Sequence, residues 1–124
     1  MYKKKISSLK KTWLFDIDGT IVKHNGYKLD GEDTLLPGVA DFFEKISEDD
    51  VVIFLTSRTE EYKKITEDFL KKNGIHYDYI IYGLPYGERV LINDRKTSGL
   101  ETAISINTNR DEFMQVEFEI DYEL

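Results

Sequence analysis

The sequence predicts an α/β domain wound around a parallel sheet, and three observations predict it. Two continuous apolar runs of strand length, TWLFDI at 12–17 and VVIFLT at 51–56, lack the alternation of a half-exposed strand and suit strands covered on both faces. Segments of helical period follow them, which is the signature of strand–helix–strand units. Each run also stops abruptly on polar residues: Asp16 and Asp18 after the first, Thr56, Ser57 and Arg58 after the second.

Taken in order, the chain starts with a basic arm, 1–11 (MYKKKISSLKK), expected to be solvated. It has no apolar core of a secretion signal. The first strand leads into HNGYKLDGED, where Asn25-Gly26 and Asp30-Gly31 are turn signals and predict a β-hairpin flap. After Pro37-Gly38, the spacing of Val39, Phe42, Phe43 and Ile46 predicts a helix. The second strand is followed by a helix over Thr59–Asn73. Thr59 is its expected N-cap, Tyr62, Ile65, Phe69 and Leu70 form its apolar stripe, and Gly74 stops it. Further strands are expected at Tyr79–Tyr82, Arg89–Asn93 and Ala103–Ile106. The tail, 108–124, is acidic. From Met114 to Leu124 it alternates apolar and polar residues, as a one-faced strand does. That strand either packs on its own domain or pairs with a second subunit in a homo-oligomer. The whole chain, 1–124, thus reads as a single domain with its core at 12–107.

Composition narrows the function. Of the 124 residues 40% are hydrophobic and 13% aromatic, enough for one core. The formal charge of -7 argues against a nucleic-acid partner, which needs clustered Lys and Arg. The absence of Cys excludes thiolate metal sites and disulfides. No apolar run is long enough to span a membrane. A cytoplasmic protein is the expectation.

Ligands of parallel sheets gather at the carboxyl ends of the strands. Three polar clusters are expected there: Asp16 and Asp18, then Thr56 to Arg58, then Asn93, Asp94 and Arg95. Oxygen donors without thiols describe a site for a hard cation, and Mg²⁺ suits it best. Such a cation commonly holds a substrate phosphate, so a small phosphorylated substrate is expected. Its oxygens would meet donors at Gly19, Thr56 and Ser57. One carboxylate beside the phosphorus can act as nucleophile, and a second can move the proton.

These motifs carry a resemblance. DIDGT resembles the first motif of the haloacid dehalogenase (HAD) superfamily. VVIFLTSR resembles its second, and VLINDRK its fourth. The likeness covers about residues 12 to 107. It implies a Rossmann-like three-layer α/β/α fold with a central parallel sheet. It implies a Mg²⁺-dependent phosphomonoesterase that works through an aspartyl-phosphate. Asp16 would be nucleophile and metal ligand, and Asp18 general acid/base and, through its backbone carbonyl, metal ligand. Asp94 would be a further metal ligand, with Asn93 just behind it. Thr56 would bind the phosphate. Too few residues follow either the first motif or the third strand to form a cap domain, so an open site is implied. The wording of LPYGERVLINDRKTSG is similar to that of small phosphatase-like proteins of capsule and polysaccharide synthesis, which suggests a sugar phosphate.

One departure bears on activity. The family's third motif is usually a Lys, and that place reads Leu84-Pro85. Arg89 and Lys96 are the foremost candidates to supply the missing charge, with Arg95 and Lys63 behind them. A loss of that charge implies the alternative function, a phosphate-binding or regulatory module that turns over poorly. His24 in the flap and Tyr86 before the fourth strand are read as solvated or packing residues, or else as substrate contacts.

Overall fold

The structure is a computed structural model that describes residues 2–124. Met1 of the basic arm lies outside the described residues. The element order is β1 (Tyr2–Ile6), β2 (Thr12–Asp16), α1 (Gly26–Leu29), α2 (Val39–Lys45), β3 (Val51–Leu55), α3 (Lys63–Lys72), β4 (Tyr79–Ile81) and β5 (Val116–Ile120). A single 3₁₀ turn, Glu60–Tyr62, leads into α3.

Two small parallel sheets result. One has the order β2-β3-β4, the other joins β1 to β5. In the first, Asp16 lies beside Leu55 and Leu55 beside Ile81, so the carboxyl ends of the three strands are level. Two carboxylates fix this register at the opposite end. Asp50 accepts hydrogen bonds from the Lys11 amide and the Trp13 indole, each at 3.0 Å. Asp78 accepts one from the Val52 amide at 2.8 Å.

The core sits on this sheet. Phe15, Ile17, Ile21, Val22, Leu36, Val39, Val52, Phe54, Leu70 and Ile75 are buried together. Aromatic edges meet faces within it: Phe42 stands across Trp13, Phe15 and Phe113 with ring centres 5.5–5.8 Å apart. This geometry aligns ring quadrupoles as well as burying area. Helix α3 contributes Leu70 and the partly buried Phe69. It ends as expected at Gly74, whose φ of +69° turns the chain so that the Ile75 amide reaches the Leu70 carbonyl.

The structure corrects several expectations. The basic arm is not a free solvated arm: Tyr2–Ile6 is a strand. It pairs with the tail in register, Lys3 opposite Glu117 and Lys5 opposite Glu119. Phe118 reaches back to Trp13, edge to face at 5.2 Å. The tail thus pairs within its own chain. The region expected to be a hairpin flap is closed by one antiparallel bridge, Val22 to Leu35, and holds the one-turn helix α1. Asn25 does adopt a left-handed conformation, with φ of 54°, but its carbonyl accepts from the Lys28 and Leu29 amides. Local bonds therefore satisfy the backbone that a hairpin would have paired across strands.

The strands expected at Arg89–Asn93 and Ala103–Ile106 do not form. Val90, Leu91 and Ile92 are exposed. An apolar run signals hydrophobicity, but a strand also requires a neighbour, and no ladder is offered to this one. The segment is anchored elsewhere. The Gly83 and Leu84 amides donate to the Arg58 and Thr56 carbonyls, and further on Asn93 Nδ2 donates to the Thr102 carbonyl.

Candidate active site

The carboxyl ends of β2 and β3 bring the two clearest motifs together. Asp16 closes β2, half-buried. Its Oδ1 accepts from Arg89 Nη1 at 2.9 Å, and its Oδ2 accepts from the Thr20 hydroxyl at 3.2 Å. Arg89 is thus the cation that faces Asp16, across a gap of more than seventy residues in sequence. Lys96 does not share this place; it belongs to a separate exposed turn in which its carbonyl accepts from the Gly99 amide.

Asp18 belongs to a different environment. Arg58 grips its carboxylate with two parallel bonds, Nε to Oδ2 at 3.0 Å and Nη2 to Oδ1 at 2.8 Å. The same guanidinium grips Asp33 with Nη2 at 2.7 Å and Nη1 at 3.0 Å. Its Nη1 also donates to Thr66 on α3 at 2.8 Å, and the Tyr27 ring lies over its carbon at 3.9 Å. Arg58 is 3% exposed, so this is a buried charge shared between two carboxylates. Burial alone would lower the guanidinium's pKa, but its hydrogen bonds to Asp18 and Asp33 outweigh it and raise the value above the ordinary one. The Tyr27 hydroxyl is raised as well, by burial first and by the Asp18 charge second.

Thr56 sits at the end of β3, fully buried. Its amide donates to the Ile81 carbonyl, its carbonyl accepts from Leu84, and its Oγ1 accepts from the Arg58 amide at 3.0 Å. Only its hydroxyl proton is left to donate. Ser57 is more open, and its hydroxyl donates to the Pro85 carbonyl at 3.4 Å. Gly19 departs from expectation: its amide donates to the Val22 carbonyl at 2.8 Å, so it is not free for a phosphate. Its φ of +83° is one that glycine adopts without strain, and a Cβ here would press on Arg110.

The rim of the cleft comes from the far end of the chain. The Asp111 amide donates to the Gly19 carbonyl at 2.8 Å, and the Asp111 carboxylate accepts from the His24 amide at 2.6 Å. His24 is therefore held by its backbone in the loop after β2.

Sequence reasoning missed Asp33 and the clamp on Arg58. An acidic residue in a polar loop carries no signal by itself. The available hint was an Arg placed right after a buried strand, where its charge demanded a partner.

The expected metal ligands do not converge. Asp94 is exposed and accepts from the Thr102 hydroxyl through its backbone carbonyl, apart from Asp16 and Asp18. Among the described residues no three acidic or imidazole side chains form a group able to hold a metal ion. The unformed strand at Arg89–Asn93 is the cause, because that strand was to deliver Asp94. As arranged, the side chains do not assemble a Mg²⁺ site: Asp94 stands apart, and the Asp16 carboxylate is already paired with Arg89.

No protein-family model and no curated protein matches the chain. A chain in the structure of the Pnkp1/Rnl/Hen1 complex is similar to it, with 30% identity and a TM-score of 0.52. The match takes in 68% of this chain and 32% of that one, so the similarity spans about a third of the larger chain's length. Both the α/β character and the parallel order of the sheet are in keeping with this likeness. Among the described residues no helix is long and apolar enough to cross a membrane.

Proposed function

We propose that the cleft at the ends of β2 and β3 is a phosphate-ester site of the HAD type, and that the chain hydrolyses a small phosphorylated metabolite. The observation that carries this reading is the division between Asp16 and Asp18. They stand two residues apart at one strand end. One faces an exposed arginine and the cleft; the other is locked to a buried arginine. Two carboxylates in distinct environments are what a nucleophile and a proton carrier require. The likeness to a chain of the Pnkp1/Rnl/Hen1 complex supports phosphoester chemistry in general terms. On this reading β2, β3 and β4 belong to the three-layer core of the family.

In the proposed reaction an Asp16 oxygen attacks phosphorus and forms an O–P bond as the ester O–P bond breaks. The departing alkoxide takes a proton from Asp18. Water then attacks the acyl phosphate and gives its proton back to Asp18, so that phosphate and free Asp16 return. Arg89, beside Asp16, offsets charge on the phosphoryl oxygens in the place where the family's Lys is missing. The Thr56 hydroxyl and Ser57, at the end of β3, would be further side-chain donors for those oxygens.

The test is phosphate release from a panel of sugar phosphates, alkyl phosphates and a 3′-phosphorylated oligonucleotide, with wild type and Asp16→Asn. Each assay is run with and without Mg²⁺, which also probes the role expected of Asp94. Release that Asp16→Asn lowers by at least about 100-fold supports the reading. Equal release from both proteins would leave the chain a phosphate-binding module at most.

A further inference from the structure

We propose that Asp33 and Thr66 are positioning residues, which hold Arg58 so that its fork aims Asp18 at the leaving group. The inference rests on the phosphate-ester reading of the cleft and deepens it. Four observations converge on Arg58. Its fork is fully used, with bonds to Asp18, to Asp33 and to Thr66. Asp33 is itself buried, its side chain 3% exposed, so it faces no solvent and no substrate. Tyr27 closes the guanidinium's face at 3.9 Å. Thr66 in turn donates to the Tyr62 carbonyl at 2.7 Å, which ties the clamp to the first turn of α3.

The geometry separates the roles. Asp33 bonds to the two terminal nitrogens of Arg58, and Asp18 bonds to Nε and to one of those same nitrogens. An arginine held only by Asp18 could swing with it. An arginine held on its other side by a buried carboxylate and a helix hydroxyl cannot. Asp18 therefore stands on a fixed platform, with the unshared lone pairs of both oxygens free for a proton. Its side chain remains 19% exposed toward the cleft. A group that must give and regain one proton at a fixed point gains most from such rigidity.

The experiment compares kcat/KM on two substrates for wild type, Asp33→Asn and Thr66→Val. An alkyl phosphate needs its leaving oxygen protonated; p-nitrophenyl phosphate does not. If Asp33 acts through Asp18, Asp33→Asn lowers kcat/KM on the alkyl ester by roughly 100-fold. The p-nitrophenyl ester falls about tenfold less than that. Thr66→Val gives the same selectivity in smaller measure and keeps the test alive if Asp33→Asn does not fold. An equal fall on both substrates, or none, overturns the proposal while leaving phosphatase activity in place.

If no turnover depends on Asp16, the phosphate-ester reading has failed. The coupling is then read from the carboxyl-carbon NMR signal of Asp18. A shift or broadening of that signal in the variants upholds the clamp, and an unmoved signal overturns it.

Discussion

Replacing Arg58 by methionine removes one charge and strands two. Asp33 would be left buried with no cation, and Asp18 would face it from a site 19% exposed. Breaking a buried ion pair from one side costs about 3–5 kcal/mol, because the remaining charge keeps its desolvation penalty. The lost stacking on Tyr27 adds about 1 kcal/mol. The partial exposure of Asp18 and the packing of the methionine chain return some of this. A net loss of about 4 kcal/mol follows, equivalent to roughly 15 °C in Tm for a domain of this length. Urea unfolding of Arg58→Met, Asp33→Asn and the double variant measures it. In the double variant the buried carboxylate is gone, so the two losses should fall short of adding by about 2 kcal/mol. Because Arg58 is held above its ordinary pKa, its contribution is present throughout the range below about pH 12 and is lost only above it. The loss on Arg58→Met should therefore not arise from Arg58's own titration between about pH 6 and pH 9. A loss under 1 kcal/mol, or losses that add to within about 0.5 kcal/mol, would refute the idea that one buried charge is shared by both carboxylates.

Other perturbations follow from the same structure. Arg89→Ala should lower turnover by roughly 10- to 100-fold, since it removes the cation on Asp16, while changing stability by under about 1 kcal/mol because the pair is more than a third exposed; steady-state kinetics and thermal melts distinguish the two. Tyr82 is held above its ordinary pKa by burial and by its hydrogen bond to Glu67. The stability it lends is whole below about pH 10 and falls as pH rises beyond that, so Tyr82→Phe should flatten the alkaline decline of the unfolding free energy, measured by urea titration, by at most about 1.4 kcal/mol per pH unit; an unchanged slope would place the titrating phenol elsewhere. Phe118→Ala should cost about 2 kcal/mol through the lost contact with Trp13, and amide exchange should quicken in Tyr2–Ile6 and Val116–Ile120 ahead of the β2–β4 sheet.

What could be read from sequence, and what could not, divides by the range of the interaction. TWLFDI and VVIFLT needed no partner to be recognised, since each is a continuous apolar run, and both became strands of one sheet; β3 is central, whereas β2 lies at the edge and leaves Leu14 exposed. The α3 helix was legible because its stripe and its Gly74 stop are local signals. Asp16 and Asp18 followed, because residues at a strand's end inherit its position. Arg89 lay among the candidates on charge alone, but only folding brings it to Asp16. VLIN shows the limit. Its Val90, Leu91 and Ile92 are as apolar as VVIFL, yet the segment meets no strand in the structure and leaves Asp94 outside the cleft. Asp33 shows the same limit from the other side: its buried partner, Arg58, lies 25 residues away in sequence.

The pairing of β1 with β5 has a consequence for the order of folding. Tyr2 opposite Val116 is a contact between segments separated by nearly the whole chain. Closing so long a loop carries an entropic cost that grows with the logarithm of its length, and contacts of this kind form late. On a ribosome, β1 emerges before β5 and must wait for it. While it waits, Lys3, Lys4 and Lys5 line an open edge, and like charges there oppose pairing with the same edge of another nascent chain. Glu117 and Glu119 relieve that repulsion only when their own chain arrives. The lysines thus serve two moments, as a guard during synthesis and as partners once it is complete.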